Sequence, residues 1–279
     1  MRARSWLGWL LLCLVSAQAA CGGMLWDAAA GLADSSRPRP GFNLFTPEQD
    51  IELGRASAAE TAREVRLVED QRVQAYISRL GARLAAHAPG YEFPYQFAVV
   101  DAPEVNAYAF PGGYVFVNTG AIAEAETEGE LAAVLAHEIA HVALRHGTNQ
   151  ASKAYVTKSG LELLDAVTGG RETALGRYAE RAGAACAEAL FQTVGRSSET
   201  EADLEGARLM AAAGYDPREM ARFFEKLGET GGARSTEALS DHPDPRSRVA
   251  AINEFINTLP TPSAKPRDTE QFRLIKRRV

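Results

Sequence analysis

The feature that most restricts this chain is the run from 128 to 146, where Leu131, Val134, Leu135, Ile139 and Val142 recur at helical spacing around His137, Glu138 and His141. Thr127 with Glu130 predicts a capped start, and Gly147 predicts the end. So apolar a helix has to be buried, so other elements must wrap it. Burying two imidazoles and a carboxylate is costly unless they are paired or hold a metal. HEIAH sets His137 and His141 four residues apart, about one turn along a single face. That spacing suits two ligands of one zinc ion, with Glu138 on the flank of the same face, able to take a proton from the water the metal acidifies. The competing reading is a solvent-facing helical turn that happens to carry these three side chains, and the apolar residues around them oppose it.

A catalytic zinc needs a third protein ligand from another element and a position left open for water. ETEAD, residues 199–203, supplies a candidate: Glu199 and Asp203 share a helix face, so Glu199 can reach the metal while Asp203 accepts the outer N–H of a liganding histidine. Glu201 points elsewhere in that pattern. Without the rest of the chain, the acidic cluster would read as a solvated helix start. His146 and His87 are expected at helix ends, away from the site.

Ahead of the buried helix, Thr46, Pro47 and Gln49 predict a capped helix, and a second helix is expected from about Asp70 to His87. Tyr91 to Val100 reads as a strand, and Val105 to Phe110 faces Tyr114 to Val117 across Pro111, Gly112 and Gly113. A small antiparallel sheet beside the HEIAH helix follows. Further helices are signalled by Ser198 with Glu201, by Asp216 with Pro217 and Glu219, and by Asp244 with Pro245. The fold class is therefore α+β and mostly helical, with a domain over about 46–258, a linker over 21–45 and a loose tail over 259–279.

Arg2 and Arg4 precede an apolar run from Trp6 to Val15, and Ala17, Ala19 and Ala20 follow, which is the layout of a secretory signal over 1–20. The run is short for a spanning helix. Two processing readings stand. Ala17, Gln18 and Ala19 resemble a signal-peptidase site, whereas Ala19, Ala20 and Cys21 resemble the end of a lipobox that would make Cys21 a lipid anchor. Export to the periplasm follows from either. Cys186 reads as a small buried residue with no assigned role. A net charge of -6, with a basic cluster only at Lys276, Arg277 and Arg278, makes nucleic acid an unlikely main partner.

Four ordered motifs carry a resemblance: VNAYAFPGGYVFVNTG, HEIAHVALRHG, ETEAD and AAGYDP. Together they resemble the HtpX-like zinc metallopeptidases, gluzincins that pair HExxH with a later ExxAD-type glutamate, and most of all their exported BepA- and LoiP-like branch. The resemblance implies a zincin-like domain with one Zn2+ on His137, His141 and Glu199, and catalytic roles for Glu138 and Asp203. It implies that Asn106, Tyr108 and Phe110 form an edge strand along which substrate could pair. For one of Tyr108 and Phe110, packing under the active helix is the other reading. It also implies that His242, in SDHPDPRSR, is a fourth ligand or latch, or alternatively helps stabilise an oxyanion, and that Arg248 matches a later family arginine. The implied activity is peptide-bond hydrolysis in envelope quality control, on unfolded or misassembled envelope proteins. A zinc-bound chaperone or assembly factor with restrained proteolysis would use the same ligands.

Overall fold

The computed structural model describes residues 38–156, 195–229, 246–259 and 269–279. Its first half carries α1 (Pro47–Glu64), α2 (Gln71–Ala85), β1 (Gln96–Val100), β2 (Ala107–Phe110), β3 (Tyr114–Asn118) and α3 (Thr119–Glu124). Then come α4 (Glu128–Ala143), α5 over 146–156, α6 (Arg196–Ala212), α7 (Arg218–Glu229), α8 (Arg246–Ile256) and α9 (Glu270–Lys276). The signal segment, Cys21, Cys186 and His242 lie outside the described residues.

α4 is the axis of the fold, and every one of its 16 residues is buried. Its small side chains, Ala132, Ala133, Ala136, Ala140 and Ala143, let neighbours approach on all sides: α2, the sheet, α6 and α7 all pack on it. Thr127 caps it by accepting the Glu130 N–H at 3.1 Å. Glu130 does not complete a box with Thr127; its carboxylate takes the Glu126 N–H instead, at 2.8 Å. At α1 the expected box is complete, with Thr46 and Gln49 exchanging both bonds and Pro47 in the first turn.

The sheet has the order β1-β3-β2. β2 and β3 pair antiparallel as expected, with Tyr108 opposite Phe116. β1, however, adds to β3 in parallel, Val99 opposite Val117, so the sheet is mixed. The reason lies in the connection: 101–106 carries the chain past β3's position to the far edge, and the three-residue turn Pro111–Gly113 returns it between the two. Alternation then sorts the two faces. Val99, Ala107, Val115 and Val117 enter the main core with α2 and α4, while Val100, Phe110 and Phe116 pack with Ala58 of α1.

Two boundaries differ from expectation. Residues 41–45 are held against α5 rather than loose: the Asn43 amide donates to Thr148 Oγ1 at 2.7 Å and the Leu44 N–H to Ser152 Oγ at 2.9 Å. The tail also departs from a loose strand of chain. Thr269 caps α9, whose Phe272 and Ile275 are buried in the main core, and the Thr269 hydroxyl bonds to Glu128. Two apolar residues three apart on a capped helix are enough to dock so short a segment when a buried acceptor awaits it. Glu128 is that acceptor, and it also takes the hydroxyls of Tyr76 at 2.9 Å and Tyr215 at 2.6 Å. Among the described residues no helix is long and apolar enough to cross a membrane.

Candidate metal centre

Glu199 and Asp203 project from the first turns of α6 toward α4, and Gly206 one turn later explains how close the helices come. A Cβ there would meet the backbone N of His137 at 3.2 Å and Ala136 C at 3.3 Å. Any side chain would press the helices apart at the residue that has to meet Glu199. The helix itself starts at Arg196 with Gly195 as N-cap, three residues before the Ser198 cap read from the sequence, and no side chain caps it.

His137, His141 and Glu199 are brought together, all buried, with one donor atom from each within 4.8 Å of the others. His137 Nε2 and His141 Nε2 are 2.9 Å apart. Glu199 Oε2 is 3.5 Å from His137 Nε2, and Oε1 is 3.4 Å from His141 Nε2. Zinc bonds of about 2.0–2.1 Å in a tetrahedron would set such donors about 3.3 Å apart, close to the separation of the two imidazole nitrogens and to that of each from its nearer Glu199 oxygen, so the three side chains suit zinc. Two nitrogens and a carboxylate oxygen also suit zinc over magnesium or calcium. Glu138, on the same helix, is 2% exposed.

Behind the donors stands a buried second tier. Asp203 Oδ1 lies 3.0 Å from His137 Nδ1. Arg248, from α8, reaches the same carboxylate through both Nε and Nη2, at 2.7 and 2.5 Å. Its Nη1 stands 2.9 Å from Glu199 Oε2, an ion-pair distance without hydrogen-bond alignment. Arg248 Nη2 is also 3.3 Å from His137 Nδ1. With Nε2 turned to a metal, Nδ1 carries the proton and gives it to Asp203, so the arginine serves the carboxylate rather than the imidazole. The sequence gives Arg248 only by resemblance, since nothing local marks a buried arginine.

His146 was expected to face away and does not. Nine residues of unbroken helix would carry it half-way round from His137. Instead α4 ends at Ala143, and Arg145 adopts a left-handed φ of 56°. Its guanidinium is held by Asp50 Oδ2 at 2.7 Å and by the Phe45 carbonyl at 2.6 Å. The break resets the phase, and His146 Nδ1 comes to 2.9 Å from His141 Nδ1. Tyr108 and Phe110 also depart from the reading that put one of them under the active helix. On the face toward α1, Tyr108 stacks on Phe116 with ring centroids 5.3 Å apart, and Phe110 meets Phe116 edge-on at 5.8 Å. Being two apart on a strand, they share a face, and α4 lies on the other. Asn106 closes the β2–β3 ladder, its carbonyl accepting the Asn118 N–H at 3.0 Å.

Titration differs sharply within the cluster. Burial lowers the pKa of His137, but hydrogen bonds from its ring to the Asp203 and Glu199 carboxylates outweigh it and raise the value to about 9. Burial, then the nearby His137 charge, holds His141 well below its ordinary 6.5 and His146 down at about 4. A metal at Nε2 must therefore displace a proton from His137. Metal affinity is expected to rise about tenfold per pH unit from roughly 6.5 to 9 and then level off. Competition against a chelating dye across that range checks it, and a flat profile would refute it. In metal-free protein the His137 contribution to stability is fully present below 6.5 and lost as pH rises to about 9. The depressed pKa values of His141 and His146 act oppositely: their contribution is present above 6.5 and lost on acidification.

A family model described as peptidase family M48 matches residues 68–256. The beta-barrel assembly-enhancing protease of Escherichia coli (strain K12) is 30% identical over 246 residues, which is 84% of this chain and 50% of that protein. The putative beta-barrel assembly-enhancing protease of Vibrio cholerae is 31% identical over 226 residues, 78% of this chain and 46% of that protein. Mitochondrial metalloendopeptidase OMA1 of Arabidopsis thaliana is 30% identical over 189 residues, 67% of this chain and 37% of that protein. The chain thus spans about half the length, or less, of these curated relatives.

Proposed function

The chain belongs to peptidase family M48, and from that premise we propose that it is an exported, zinc-dependent endopeptidase that cuts unfolded or misassembled proteins of the cell envelope. One observation carries the chemical part. His137, His141 and Glu199 each present a buried donor atom within 4.8 Å of the other two, the histidines from the helix that also carries the buried carboxylate of Glu138. Zinc bound there would supply Lewis-acid chemistry, acidifying water and polarising a scissile carbonyl. Glu138 takes the proton of the attacking water and returns it to the leaving amine. Asp203 fixes the His137 ring by accepting from Nδ1, and Arg248 fixes Asp203. No covalent enzyme intermediate is needed.

Substrate recognition by strand addition is supported by β2, which among the described residues is an outer strand of the sheet, next to β3, where an extended peptide would add. With Tyr108 and Phe110 turned toward α1, it is the backbone of residues 106–110 that would pair. His242 is proposed as a latch or fourth ligand. It stands six residues before Arg248, which is anchored on Asp203, and a chain of that length can span at most about 20 Å. Export is supported by the charged, apolar and small-residue order of 1–20, with Cys21 as the lipid anchor if the lipobox reading holds. An envelope substrate is supported by the names of the bacterial relatives.

The purified chain is expected to contain one zinc and to hydrolyse casein. Prolonged chelation should abolish cleavage, and stoichiometric zinc should restore it. Wild-type protein that takes up no zinc would overturn the reading.

A further inference from the structure

We propose that His146 and Glu201 form a positioning relay for His141, matching on one metal-facing imidazole what Asp203 and Arg248 do for the other. The inference rests on the zinc reading above and adds residues to it. For His141 to offer Nε2 to a metal, its single proton must sit on Nδ1. That Nδ1 lies 2.9 Å from His146 Nδ1, so His146 has to be the acceptor there. A neutral imidazole accepting through Nδ1 carries its own proton on Nε2, and His146 Nε2 points at Glu201 Oε2, 3.4 Å away. The proton order is therefore fixed along the whole row, from the Glu201 carboxylate through His146 to His141. Flipping any member would leave two N–H groups, or two lone pairs, facing each other in a buried site.

The burial gradient fits that role. His141 and His146 are 8% and 5% exposed, while the Glu201 side chain is 45% exposed at the rim. The outer carboxylate keeps its contact with water, avoiding the desolvation a fully buried one would carry, and the inner imidazole transmits its orienting effect. Glu201 thus has a use that its position in ETEAD disguises. It stands midway between Glu199 and Asp203, off the face they share, yet α5 brings a histidine round to meet it. The arrangement depends on the left-handed turn at Arg145, which Asp50 and the Phe45 carbonyl hold. Residues 41–50 therefore contribute to the metal site without approaching it.

Two full-length variants separate the hydrogen bond from packing. His146→Leu fills the space with no acceptor, whereas His146→Asn keeps an acceptor oxygen where Nδ1 stands. Zinc dissociation constants from chelator competition should rise about 10- to 100-fold in His146→Leu. They should stay within a few-fold of wild type in His146→Asn. The visible spectrum of the cobalt-substituted protein should change in the first variant and not in the second. Glu201→Gln should weaken zinc less than His146→Leu does. Equal zinc affinity and cobalt spectra in Leu and Asn variants, whether both intact or both impaired, would overturn the relay while wild-type zinc binding left the peptidase reading standing. Failure of wild type to bind zinc would overturn both.

Discussion

Glu138→Gln is expected to keep its zinc and to hydrolyse casein about 10²- to 10⁴-fold more slowly than wild type, the range that loss of a positioned general base produces. The substitution is close to isosteric, which matters because Glu138 is 2% exposed within the fully buried α4. An amide there preserves volume and much of the hydrogen bonding but cannot accept the proton of the attacking water at neutral pH. His137, His141 and Glu199 are untouched, so metal content separates this loss from a collapsed site. The same variant discriminates between classes of function. A binding or assembly factor that merely houses zinc would hold its client equally well with glutamine. Capture of unfolded client that persists in Glu138→Gln, with no cleavage by wild type under any condition, would move the assignment to that class. Cleavage by Glu138→Gln at the wild-type rate would remove Glu138 from the mechanism.

How much of this was legible in the sequence depended on whether the signal was local. The α4 pattern, its Thr127 cap, the i, i+4 pair His137 and His141, and Glu199 with Asp203 are all short-range periodicities, and the structure brings these residues together. What stayed hidden depended on one backbone angle or on distant packing. A left-handed residue at Arg145, where neither glycine nor asparagine advertises it, undid the phase argument for His146. The parallel pairing of β1 is a matter of where a six-residue connection crosses, which alternation does not encode. α9 looked loose because seven residues show too little period to betray a face; it is docked by Phe272, Ile275 and a carboxylate 141 positions earlier. The aromatic pair Tyr108 and Phe110 was readable as same-faced from spacing alone, but which face met α4 was set by α1.

Arg248→Ala is expected to destabilise the metal-free protein by about 3–5 kcal/mol, the cost of removing one partner from a buried ion pair. The guanidinium is 5% exposed and answers two buried carboxylates, Asp203 through two bonds and Glu199 at 2.9 Å. It also lies over the Phe224 ring at 4.5 Å, so its removal loses packing as well as charge. What remains is Glu199 and Asp203 beside His137, a net anionic cluster with one titratable counter-charge. Zinc would change the balance, since a dication on Glu199 replaces part of the charge the arginine supplied. The penalty should therefore be smaller in zinc-loaded protein than after chelation. This ordering distinguishes a charge-compensating arginine from one that matters only for packing, because lost packing would weigh the same in both states. Urea unfolding of wild type and variant, each with and without chelator, reads both quantities. Equal penalties in the two states, or a metal-free penalty below about 1 kcal/mol, would show that Asp203 and Glu199 do not depend on Arg248. Lysine at 248 should recover only part of the loss, because a single ammonium cannot bridge Asp203 through two donors and reach Glu199 at once.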